Sequence, residues 1–134
     1  MDIRRGSVWW WSCPNHLRTH IQGGTRPVLV VSNDVCNNSS EVITVVPLTT
    51  RAKQPYPQQM PLILNEEVSI ALADQITSVP VDELGDFIGL LKDYQMDMVD
   101  RAIAVQLGYV DVRDNCYSLF PKKSRSEETW PSSR

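Results

Sequence analysis

The sequence predicts a mainly β protein of the α+β class, a small and strongly bent barrel of short strands closed by one C-terminal helix. Two observations predict it. Short apolar runs rich in β-branched and aromatic residues recur up to Leu91, separated by Gly, Pro, Asn and Asp. One segment with helical periodicity follows them. The length of 134 residues suits a single domain.

Gly6 to Trp11 reads as the first strand and carries Trp9, Trp10 and Trp11 in succession. Neighbours on a strand face opposite sides, so Trp10 opposes the other two. A core or dimer-interface role and a base-stacking role are both open for this run. Ser12 to Thr25 is a polar loop, long for a hairpin and therefore a functional candidate. Pro27 to Asn33 reads as a buried second strand. Asp34 to Ser40 is a turn marked by Asn37-Asn38-Ser39-Ser40. Val42 to Thr49 is the third strand, and Arg51 to Gln59 is a Pro-rich loop.

Shorter strands follow near Met60–Leu64, Ser69–Ile76 and Phe87–Leu91, with one helical turn over Pro80–Leu84. The long helix starts after Asp93, a good N-cap residue. Met96, Val99, Ile103 and Leu107 give it one apolar face, and Asp97 and Arg101 form an i,i+4 pair on another. Gly108 stops it. Residues 1–112 form the domain, and 113–134 a polar tail expected to be disordered, with Trp130 alone in it.

Apolar content of 42% and charged content of 22% fit a soluble globular protein. No apolar run approaches the ~20 residues of a membrane span, and Met1 to Arg5 lacks the apolar core of a secretion signal. Cys13, Cys36 and Cys116 are odd in number and unpaired in spacing, which points to the cytoplasm and away from a zinc site. The net charge of -3 counts against bulk attraction to nucleic acid. Any such binding must be local, and Arg18, Arg26, Arg51 and Lys53 are the cations that flank the first strands.

The densest chemical signal runs from Gln22 to Asp34. The Gly23-Gly24 pair permits a turn or a close backbone approach. Arg26 then stands at the mouth of a strand, and its fork of donors suits a phosphate. This segment resembles the MazF/PemK toxins, small bacterial ribonucleases. Val45-Val46-Pro47-Leu48-Thr49-Thr50-Arg51 is similar to that family's third strand, and Ala71-Leu72-Ala73-Asp74-Gln75-Ile76 to its Asp/Glu-Gln strand. The order matches from about Arg5 to about Leu107.

The resemblance implies an SH3-like barrel of the CcdB/Kid/MazF type with a C-terminal helix, acting as a homodimer. It implies an endoribonuclease toxin, an mRNA interferase, that cuts single-stranded RNA at a short sequence without metal or cofactor. The RNA's own 2′-hydroxyl would attack, leaving a 2′,3′-cyclic phosphate or 3′-phosphate and a 5′-hydroxyl. Arg26 and Thr49 are then the catalytic pair. His16 is a further catalytic candidate, paired with Asp74 as loop His and Asp are in some relatives. Arg18, Gln22, Gly24, Thr50, Arg51, Asp74 and Gln75 would contact RNA, although Asp74 can equally serve a structural role. The implied partner is a small acidic MazE-like antitoxin.

Many relatives carry Ser-Glu where this chain has His20-Ile21. Two other readings stay open: a CcdB-like toxin that binds gyrase, and a catalytically degenerate relative that still binds an antitoxin.

Overall fold

The computed structural model describes residues 2–13, 24–50 and 59–111. In chain order the elements are β1 (Ser7–Cys13), β2 (Gly24–Val30), α1 (Asp34–Ser39), β3 (Val42–Thr49), β4 (Gln59–Leu64), β5 (Glu67–Leu72), β6 (Thr77–Pro80), β7 (Leu84–Leu90) and α2 (Asp93–Gln106). Single 3-10 turns at Ala73–Gln75 and Val81–Glu83 flank β6. His16, Arg18, Gln22, Arg51 and Lys53, and the tail with Trp130, lie outside the described residues.

The strands form one curled antiparallel sheet in the order β4-β5-β3-β2-β1-β7, with β6 also paired to β3. β3 serves two partners on the same edge. Val42 to Val45 pair with β6, and Leu48 and Thr49 pair with β5. Pro47 sits between the two sets. It has no N–H to donate, so it falls where the ladder changes partner.

The sheet is packed on both faces. One core joins Trp9, Trp11, Val28, Val30, Ile43 and Val45 to Ile3 and Val79. The other joins Val8, Leu29, Val46 and Leu48 to Leu62, Ala71, Leu91, Met96 and Val99. The alternation of β2 and β3 residues between the cores follows the pleat. It explains why both strands read as nearly unbroken apolar runs.

Helix α2 covers the second core with Met96 and Val99, and Ile103 packs against it. Arg5 ties the chain ahead of β1 to this helix and to the end of β2. Its Nη2 donates to Asp100 Oδ2, and its Nη1 donates to the Val31 carbonyl at 2.6 Å. Gly6 turns the chain into β1 at φ +96°, a region that disfavours any residue with a Cβ.

Several expectations need correction. Asp34 to Ser40 is not a turn but the helix α1. Asn33 caps it, its side chain accepting from the Cys36 N–H at 2.9 Å. The strand expected over Ser69–Ile76 stops at Leu72, and Asp74 and Gln75 lie in a 3-10 turn instead. Thr77–Pro80 forms a strand that the sequence did not signal.

β2 begins at Gly24, so Arg26 is inside the strand, opposite Trp11, and not at its mouth. β7 starts at Leu84, earlier than the Phe87 expected. Asp93 is the first residue of α2, not its cap. Lys92 occupies that place, and its N–H is taken by Gln95 Oε1 at 2.9 Å. Leu107 lies past the helix and is exposed, because Gly108 at φ +84° turns the chain away.

Candidate functional site

The cleft of interest has a volume of about 350 Å³ and is lined from four sides. β1 contributes Trp10, β2 contributes Thr25, Arg26 and Pro27, and the end of β3 contributes Leu48 and Thr49 with Thr50 just beyond. The β4–β5 hairpin supplies Leu64, Asn65, Glu67 and Ser69, and β7 supplies Ile88.

Register explains why Arg26 and Thr49 meet here. Val28 stands opposite Pro47, and the same register continued two residues outward sets Arg26 level with Thr49. On the far side of β3, Thr49 pairs with Ile70 of β5. The cleft thus opens at the end of the central strands, where hydrogen-bonded pairing gives way to side chains. Arg26 is its only cation among the described lining residues, and Glu67 the only anion.

Trp10 is 41% exposed, whereas Trp9 and Trp11 are 5% and 4% exposed and sit in the first core. Strand alternation therefore places two indoles in the interior and aims the third at the cleft. Buried Trp9 and Trp11 donate their indole N–H groups to Ser7 Oγ and Glu83 Oε1, both at 2.8 Å. The indole of Trp10 is left as a surface.

The hairpin that roofs the cleft turns through Asn65 and Glu66, both at positive φ, 52° and 69°. Two consecutive residues of this kind make the tight turn whose twist matches the flanking strands. Asn65 Nδ2 donates to the Ile88 carbonyl, so the hairpin tip reaches β7 across the opening.

Of the site residues expected from sequence, the structure gathers Arg26, Thr49 and Thr50 in this cleft. Gly24 begins β2 two residues from Arg26. Asp74 and Gln75 do not line the cleft. Asp74 accepts from Gln59 Nε2 at 3.3 and 3.4 Å at the bend between β5 and β6. Among the described residues, no group of three or more His, Cys, Asp or Glu is placed to hold a metal ion.

Sequence reasoning missed Thr25, Asn65, Glu67 and Ser69. An Asn at the tip of a two-residue hairpin was a usable signal. That the hairpin folds over β1 and β7 is a tertiary fact with no local signature.

No described helix is long and apolar enough to cross a membrane. The sequence model of the PemK-like, MazF-like toxin of type II toxin-antitoxin systems matches residues 4–107. The endoribonuclease EndoA of Bacillus subtilis is 32% identical over 116 residues, spanning 83% of this chain and 99% of that protein. A mycobacterial endoribonuclease, solved in complex with its cognate antitoxin, superposes with a TM-score of 0.63 at 28% identity, covering 80% of this chain and 94% of its own. The MazF of Deinococcus radiodurans shares the fold, with a TM-score of 0.68 at 24% identity over 81% of this chain and 98% of its own.

Proposed function

The chain belongs to the PemK-like, MazF-like family of type II toxin–antitoxin toxins, and on that premise we propose how it acts. It is an endoribonuclease of the MazF type. Its substrate is single-stranded mRNA, cut at a short sequence, and its cognate antitoxin is a small acidic protein.

The observation that carries the mechanism is the convergence of Arg26 and Thr49 at one end of a cleft with an exposed Trp on its wall. The 2′-hydroxyl of the RNA attacks the adjacent phosphorus and expels the 5′-oxygen of the next nucleotide. Negative charge builds on the non-bridging oxygens, and Arg26 meets it with its fork of guanidinium donors. Thr49 donates its hydroxyl to one of those oxygens. Trp10 stacks on a neighbouring base, an interaction worth roughly 1–3 kcal/mol.

Asp74, engaged with Gln59, lies outside this arrangement, so proton transfer falls to Arg26 or to His16 of the preceding loop. The protein works as a homodimer. The antitoxin acts by laying carboxylates where the phosphates would run, facing Arg26 and Arg51.

The test is cleavage of a long single-stranded RNA by purified protein in EDTA, with the new ends mapped. Discrete 5′-hydroxyl ends are expected. Arg26→Ala should slow the reaction about 10²–10³-fold, and Thr49→Ala should slow it less. A folded wild type that leaves varied RNAs intact would refute the reading.

A further inference from the structure

We infer that Glu67 determines part of the cleavage specificity, its carboxylate reading the amino edge of one base. This rests on the ribonuclease reading and goes beyond it. The pleat of β5 sets Glu67, Ser69 and Ala71 in one row. Ala71 is sealed in the second core and Ser69 is buried against the cleft floor. Glu67 ends the row, exposed at the open mouth.

Charge then fixes which part of a strand of RNA can lie where. A carboxylate repels phosphate, so the backbone does not pass over Glu67. It passes over Arg26 and Thr49 at the other end. Among the described residues, neither the Arg26 nor the Glu67 side chain forms an ion pair or hydrogen bond. The two opposite charges share a cleft without neutralising each other.

Arg26, Thr49 and Glu67 all border the same cleft, so a strand of RNA whose phosphate lies at Arg26 and Thr49 can bring a base to Glu67.

An ionised carboxylate only accepts hydrogen bonds. Adenine, cytosine and guanine offer an exocyclic amino group, whereas uracil presents carbonyl oxygens on either side of its one N–H. Glu accepting from the cytosine amino group is an established pairing. Asn65 acts in the same sense. Its Nδ2 is engaged by the Ile88 carbonyl, which leaves Oδ1 as a second acceptor on the same wall. Glu67 therefore admits an amino-bearing base and disfavours uracil.

The experiment compares wild type, Glu67→Gln and Glu67→Ala in two assays. One maps cleavage sites on random-sequence RNA. The other selects from randomised single-stranded DNA, which lacks the 2′-hydroxyl and is bound without being cut. At one position near the bound phosphate, wild type should prefer amino-bearing bases over uracil or thymine by roughly tenfold. Both variants should lose that preference there and keep the others.

Variants with wild-type melting curves and an unchanged preference at every position would overturn the assignment, as would a wild type that favours uracil or thymine throughout. A wild type that selects DNA in a Glu67-dependent way but cuts no RNA would refute the nuclease reading and leave the base-reading role of Glu67 standing.

Discussion

Asn65 reaches across the mouth of the cleft and donates its Nδ2 to the carbonyl of Ile88 at 3.3 Å. This contact joins the tip of the β4–β5 hairpin to β7, the other end of the sheet order. Next to it, a Cβ on Gly89 would lie 3.0 Å from Leu64 Cδ1, so the two elements already approach closely. The roof of the cleft is thus held at its tip as well as through the β3–β5 ladder.

The turn that makes this contact carries a correctable strain. Glu66 holds φ +69°, a left-handed conformation that costs a residue with a Cβ about 1–2 kcal/mol. Glu66→Gly should raise stability by about 0.5–1 kcal/mol once the greater freedom of unfolded Gly is subtracted. A urea titration would read this as a higher midpoint at unchanged slope. An equal or lower midpoint would show that the Glu66 side chain contributes more than its backbone loses.

Acid should weaken the fold partly through Asp34. Its Oδ1 accepts from the Arg5 N–H at 2.6 Å and from Asn37 Nδ2 at 3.2 Å. The bond from the Arg5 N–H is the main cause that holds this carboxyl below its usual value of 3.8, against the opposing effect of burial. A depressed pKa adds stability that is complete above the unfolded value and disappears as pH falls through the lower, folded one. Asp34→Asn should therefore be less stable than wild type at pH 7 and converge with it in acid below the usual aspartate value. The carboxylate faces water, so the difference at pH 7 should not exceed about 1 kcal/mol. A gap that persists unchanged into acid would assign it to packing.

The tryptophan run separates folding from binding within one strand. Trp9→Ala removes a buried indole that packs edge-on against Phe87, with centroids 5.4 Å apart. It should cost about 3–5 kcal/mol. Trp10→Ala should leave the melting temperature nearly unchanged and weaken single-stranded RNA binding by roughly 1–3 kcal/mol. Equal losses of stability in the two variants would remove the distinction.

The sequence disclosed the architecture through periodicity. β1, β3 and α2 are legible within one or two residues because their apolar patterns repeat over seven or more positions. The Ala73–Gln75 turn was hidden because Ala73 continues the apolar run of β5 and Ile76 resumes it, and nothing local marks where extended backbone becomes 3-10. Arg26 and Thr49 stood out because one follows a diglycine and the other ends a strand. Asn65 and Glu67 did not, since their relevance depends on a hairpin folding across two distant strands. Asp74 was visible as a residue but not in its backbone setting, because a break after Leu72 places it in a 3-10 turn beside Gln59.

The double packing of β2 and β3 divides the molecule into parts that evolution can and cannot edit. Val28 to Val30 and Val45 to Leu48 are buried from both sides. A change there leaves a void or a clash against one core or the other, with no solvent side to absorb it. These strands act as a fixed rail that carries Arg26, within β2, and Thr49, the last residue of β3. If Arg26 and Thr49 act as proposed, a change of target sequence must arise in what borders the rail, the hairpin rim and the flanking loops, while the rail itself stays put.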